Sequence, residues 1–154
     1  MQFYTSYFYQ IRFFTPNLIP ISTAKWDPKW YSHSGEPYVD KRGVINGLRA
    51  PIMVLPDNYI DKIDCAKPCK YKAPDCSFMT AYQKYLDTLD FQDFYNRCID
   101  LAMRAAVITM PGLKEDEPSV VLMVHEPKSC DCAERPVIQD WFKRNGVNIT
   151  EWEK

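Results

Sequence analysis

The chain has 154 residues, of which 46% are apolar and 25% charged, with a formal net charge of −1. That length suits one domain with a core of its own. The near-neutral charge excludes a bulk basic field for nucleic acid or anionic lipid, and no apolar run reaches membrane-spanning length. Twelve prolines against five glycines point to loops held stiff, and aromatic residues are abundant at 14%.

Residues 2–8 (QFYTSYF), rich in aromatics and Thr, read as a first strand. The same stretch lacks the charged start and small-residue cleavage pattern of a signal peptide. A cytoplasmic, reducing location is therefore expected, with the six cysteines serving mostly as thiols or metal ligands rather than disulfides. Residues 17–22 (NLIPIS) read as a second strand, shortened by Pro20. Residues 23–47, with Pro, Gly, Asp and Ser throughout, predict a long ordered loop with one helical turn. Residues 50–55 (APIMVL) predict a short strand ended by Pro56.

Residues 61–77 form a Cys- and Lys-rich insert containing Lys62, Lys67, Lys70 and Lys72. Cys65, Cys69 and Cys76 fall within twelve residues of loop-like sequence, a pattern that suggests a structural zinc site. The fourth ligand would be Cys130, Cys132 or His125, with Cys132 the expected choice. Three unrelated thiols is the competing reading. Phe78, Tyr82, Tyr85, Leu86 and Leu89 then share one helical face. Asp90 is a plausible N-cap for a second helix, whose apolar face carries Phe91, Phe94, Tyr95, Cys98, Ala102 and Ala105. Residues 120–124 form a continuous apolar run, typical of a strand covered on both sides. A last helix buries Val137, Ile138, Trp141 and Phe142 and stops at Gly146, and residues 147–152 add a final strand. The order predicts one α/β domain over 1–154: a mostly parallel central sheet flanked by helices, with the Cys-rich loop insert at 61–77.

The junction 125–135 is the expected site. Ligands of open α/β sheets bind at the carboxyl ends of strands, and a helix N-terminus there adds free N–H groups and partial positive charge. Arg135, in the first helical turn, is placed to grip an anion bidentately. Pro136 favours a helix start near Cys132 or Ala133, which leaves Cys130 or Cys132 beside the helix dipole, where a thiol pKa falls. Neither a Cys-x-x-Cys pair nor the cysteine-phosphatase spacing is present, and a capped surface helix with an incidental cysteine needs no ligand. Tyr4, Ser6 and Tyr7 on the first strand, and Lys25 and Arg49 beyond the second, are the expected lining of the same pocket. Glu126 is the expected acid–base or ribose-binding group. His33 reads as a solvated loop residue and His125 as a structural one.

Several of these segments together resemble the domain of unknown function 488 family. They are YTSYF, NLIPIS with KWDPKWY, and VLMVHEP with ER and IQDWFKRNG after it. Residues 48–51 and 82–89 correspond more weakly. The family's motif is a strand ending in a Cys or aromatic-Glu pair, then a Cys-His-Arg triplet opening a helix that carries Trp. Glu126, Arg135, Asp140 and Trp141 match it. The triplet reads Ala133-Glu134-Arg135, with Cys132 one residue early, so the family's Cys and His are missing. The resemblance implies an α/β fold and a site around Glu126 and Arg135, without supplying a reaction.

The functional expectation is a small cytosolic protein that binds an anionic small molecule, phosphorylated or nucleotide-like, with an enzyme of nucleotide or nucleic-acid metabolism as one form this could take and catalysis itself left open. Its catalytic residues would be Glu126 and Arg135. The alternative is a bacterial or phage interaction factor with a protein partner, a structural zinc and no catalysis. A zinc-containing nucleic-acid module built on the insert lysines is disfavoured by the neutral net charge.

Overall fold

The structure, a computed structural model, describes residues 1–60, 76–112, 117–127 and 132–154. In chain order it contains β1 (Phe3–Tyr7), β2 (Leu18–Ser22), β3 (Tyr38–Val39), β4 (Ile45–Asn46), α1 (Asp57–Ile60), α2 (Ser77–Leu86), α3 (Phe91–Thr109), β5 (Ser119–Val124), α4 (Glu134–Arg144) and β6 (Ile149–Glu151). The central sheet has four strands in the order β2-β5-β1-β6, all parallel. This is the parallel sheet flanked by helices that the sequence predicts.

Alternation along the strands sends side chains to two cores. Phe3, Ile19, Ile21, Val120, Leu122 and Val124 pack on one face with residues of α2, α3 and α4. Val121 and Met123 pack on the other, with Phe8, Ile11, Phe14, Tyr31 and Val44. The three longer helices therefore share one face. The second is covered by the 3-10 turn Phe8–Phe13 and by the segment between β2 and α1. β5 is covered on both sides, which explains its unbroken apolar sequence. Trp141 and Phe142 of α4 close the helical layer, each with its ring centroid 5.0 Å from that of Phe91. Asp90 caps α3 by accepting from the Asp93 N–H at 3.0 Å. Gly146 ends α4 with a φ of +78°, a conformation that favours glycine.

The segment 23–47 is more regular than its composition predicts. It holds a 3-10 turn at Lys29–Tyr31 and the antiparallel pair β3–β4. Tyr31 is fully buried, and its hydroxyl reaches the carbonyls of Leu48 at 2.8 Å and Pro20 at 3.1 Å. The Pro20 carbonyl thus points out of the sheet, and its N, on the same side, had no ladder bond to make. That is why a proline is accommodated in edge strand β2. Tyr31 also covers part of that edge.

Residues 50–55 are not a strand. Pro51 begins a 3-10 turn, Pro51–Met53, whose φ the pyrrolidine ring presets. The carbonyls a strand would have paired instead accept from helix α2: Tyr82 donates to Met53 O at 2.6 Å and Tyr85 to Ile52 O at 2.5 Å. The insert 61–77 lies outside the described residues except for Cys76 and Ser77. Among the described residues, no helix is long and apolar enough to cross a membrane.

Candidate functional site

The outgoing connections of the two central strands part company at their carboxyl ends. From β1 the chain turns to the face of Phe8 and Ile11, and from β5 it runs to α4 on the opposite face. Adjacent strands whose exits diverge leave a crevice between them, the usual ligand position in an open α/β sheet. His125 and Glu126 follow β5 at this point. The His125 ring packs on Phe8 with centroids 4.9 Å apart, and its Nε2 meets the Trp26 carbonyl.

Arg135 is at the site but is not presented to solvent. Its side chain is 5% exposed, and each part of the guanidinium has a protein acceptor. Nε pairs with Glu151 Oε2 at 3.1 Å, Nη1 donates to the Glu126 carbonyl at 2.7 Å, and Nη2 donates to the Pro127 carbonyl at 3.1 Å. Around the pair, Thr5 Oγ1 donates to Glu151 Oε2 at 2.7 Å while accepting from Gln139 Nε2 at 2.7 Å. The bidentate anion grip expected of Arg135 is thus used internally. Residue 135 ties the exit of β5 to the end of β6, and through Thr5 to β1.

The carboxyl groups carry the unspent chemistry. Glu126 Oε2 is buried and has no hydrogen-bond partner among the described residues. Glu134, the first residue of α4, has its carboxyl pushed up to about 8 by burial, with the negative charge of Glu126 adding to the effect. At neutral pH Glu134 therefore holds its proton beside the Glu126 carboxylate. A carboxyl that keeps its proton offers a hydrogen-bond donor next to the acceptor oxygens of its neighbour. Tyr82, buried close to Glu134, stays protonated, its pKa raised well above the usual value by burial, by Glu134 and by Tyr85.

The remaining expected residues are scattered by strand alternation and by local bonding. Tyr7 packs toward the helical face, and its hydroxyl accepts from Gln10 Nε2 at 2.9 Å. Tyr4 and Ser6 point to the other face, where Tyr4 joins the second core and Ser6 Oγ donates to Trp152 O at 2.7 Å. Tyr4, Ser6 and Tyr7 therefore do not form one wall. Arg49 pairs with Asp27 at 3.2 Å and donates to Ala24 O at 2.7 Å, closing the turn after β2 together with the Ser22–Asp27 hydrogen bond at 2.5 Å. Lys25 is half exposed and lies 3.5 Å from Asp57, a pair of small energetic weight. Next to it Trp26 is 74% exposed.

Cys76 and Cys132 are joined in a disulfide, 56 residues apart in sequence. Two of the expected zinc ligands are thus brought together; bonded to one another they have no thiolate to offer, and reduced they have two. The bond links the start of α2 to the loop entering α4. Closing a loop of that length stabilises by about 4 kcal/mol in the chain-entropy account. Cys98 is a buried free thiol whose pKa burial pushes up to about 12. Cys65, Cys69 and Cys130 lie outside the described residues. Among the described residues, no group of three or more His, Cys, Asp or Glu is placed to hold a metal ion.

Glu134 and Glu151 are the site residues that sequence reasoning missed. Glu134 had a signal, a carboxyl at a helix start eight residues after Glu126. Glu151 had none, because only the β1–β6 pairing brings it to Thr5. With this geometry in place, comparison with known proteins adds no kinship: no family model, curated protein or solved structure matches the chain.

Two outcomes follow. Arg135→Met, which strands the buried Glu151 carboxylate, is expected to destabilise by about 3–5 kcal/mol in urea denaturation, and adding Glu151→Gln should restore part of that loss. Glu134 has a folded-state pKa above its unfolded one, so the folded state binds the extra proton. Its contribution is fully present below about pH 4.5 and is lost as pH rises toward about 8. Stability measured from pH 5 to pH 8 should fall by roughly 2–4 kcal/mol, and Glu134→Gln should flatten that slope.

Proposed function

We propose that the protein binds a small nucleotide-like ligand at the carboxyl edge of the sheet, with Glu126 receiving it. The observation that carries this reading is the buried Glu126 Oε2 without a hydrogen-bond partner among the described residues. Such an atom costs free energy until a donor reaches it. A sugar hydroxyl or an exocyclic amine is such a donor, whereas a phosphate is not. The ligand therefore turns its hydroxyl or amine side to Glu126 and the protonated Glu134, and its phosphate away from them. Arg135 is a positioning residue in this reading, holding the Glu126 and Pro127 carbonyls. The exposed indole of Trp26, with Lys25 Nζ 5.7 Å from its ring centre, offers a stacking surface and a cation at the same edge. The Glu126–Glu134 pair has the donor and acceptor that proton transfer on such a ligand requires.

A second reading rests on the contact between Cys76 and Cys132. In a reducing compartment such as the cytosol these two thiolates, with Cys65 and Cys69, supply four sulfur ligands for one structural zinc ion. The protein then serves as an interaction factor whose zinc-stiffened insert faces a protein partner.

Isothermal titration against nucleosides, nucleotides and sugar phosphates tests the first reading. At least one should bind, and Glu126→Gln should weaken it about tenfold or more, the equivalent of about 1.4 kcal/mol. Absence of any ligand, or equal binding by the variant, would overturn it. Elemental analysis of protein purified under reduction tests the second: one zinc per chain supports it, and none removes it.

A further inference from the structure

The face of the sheet opposite the long helices carries a separate concavity. A cavity of about 320 Å³ opens between the 3-10 turn Phe8–Phe13 and the β3–β4 pair, and Tyr9, Arg12, Trp30, Tyr38, Asp40 and Arg42 are among its lining residues. Its volume is at the small end of ligand pockets. Four of its nine lining residues are aromatic, and two of these remain half exposed, Trp30 at 49% and Tyr9 at 52%.

The walls are held in place from behind. The Tyr38 hydroxyl donates to Trp30 O at 2.7 Å, and the His33 ring lies flat on Tyr38 with centroids 3.5 Å apart. Trp30 sits beside Tyr31, whose hydroxyl is anchored on Leu48 and Pro20. Arg42 binds the two sides together, Nη1 donating to Ile11 O at 2.8 Å and Nη2 pairing with Asp40 at 2.8 Å. Burial pushes the Asp40 carboxyl up, but the Arg42 side chain and the backbone N–H groups of Val44 and Arg42 outweigh it and hold the carboxyl below its usual value.

The charges then leave a surplus. Arg42 and Asp40 cancel. Arg12 is held over the Tyr9 ring at 3.7 Å, with its Nε donating to Tyr9 O at 3.1 Å. Its two terminal nitrogens have no carboxylate partner among the described residues. A weakly hydrated, planar cation fixed by stacking suits a phosphate or carboxylate. Exposed aromatic rings in a braced cleft suit a flat ring of any base.

We propose that this cleft binds a flat heteroaromatic ring carrying one anionic group, of the nucleoside monophosphate class, with the ring on Trp30 and the anion on Arg12, itself held on Tyr9. The site is distinct from the carboxyl edge, and Phe8, which lines the cleft, is the ring on which His125 packs.

Titration calorimetry with the 5′-monophosphates of adenosine, guanosine, cytidine and uridine, their nucleosides and inorganic phosphate tests it. At least one monophosphate should bind, with its nucleoside and free phosphate each about tenfold weaker or more. Arg12→Gln and Trp30→Leu should each weaken it by about tenfold or more while retaining the wild-type circular dichroism. Arg104→Gln, an exposed α3 cation on the helical side, should bind as wild type. The proposal is overturned if no monophosphate binds, if Arg12→Gln and Trp30→Leu bind like wild type, or if Arg104→Gln loses as much. Binding lost in Glu126→Gln but kept in both cleft variants would place the ligand at the edge and also overturn it.

Discussion

A single buried guanidinium holds the carboxyl edge of this fold together. Arg135 reaches the two backbone carbonyls that follow β5 and the carboxylate that ends β6, while Thr5 and Gln139 connect the same carboxylate to β1 and α4. Burying a charge costs several kcal/mol, and that cost is offset only where geometry and hydrogen bonds are complete. Here each of the three guanidinium nitrogens finds an acceptor. The position of Glu126, the entry angle of α4 and the end of β6 are set by this one arrangement, so the chemistry at the edge inherits its geometry from it.

The same arrangement changes what the edge suits. An exposed arginine at a helix N-terminus would make an anion site. An internally committed one leaves a local field dominated by carboxyls. Glu134, buried and beside Glu126, keeps its proton, and Glu126 retains an acceptor atom with no hydrogen-bond partner among the described residues. The hydroxyl- and amine-bearing side of a ligand fits there, and its negative end does not. Positive charge without a carboxylate partner is found elsewhere, at Arg12 on the opposite face, among aromatic rings.

Much of the fold was legible because it rests on periodicity and local chemistry. The strands at 2–8, 17–22 and 120–124 and the helices α2, α3 and α4 follow from apolar spacing, the Asp90 cap and the Gly146 stop. Residues 50–55 misled because apolar content alone does not distinguish a strand from a 3-10 turn, and the two tyrosines that claim its carbonyls come from thirty residues further on. The β3–β4 pair is two residues per strand, too short to imprint alternation. At the site, Glu126 and Arg135 were visible as residue types at a strand–helix junction. The partner that decides the role of Arg135 was not, because Glu151 lies sixteen residues away and meets it only through sheet pairing. Likewise Tyr4, Ser6 and Tyr7 read as neighbours in sequence, and the pleat separates them.

The strand order has a consequence for how the molecule is made. β1 is the first strand in the chain, yet both its neighbours, β5 and β6, come from the last third. Thr5 and its partner Glu151 are 146 residues apart. Contacts of such sequence separation carry a large loop-closure entropy and slow folding. During synthesis, Phe3 to Tyr7 have no sheet partner until β5 has left the ribosome, and their second partner, β6, follows only after helix α4. The sheet cannot close from its centre before β5 arrives, and an unpaired strand in a nascent chain is open to aggregation throughout that interval.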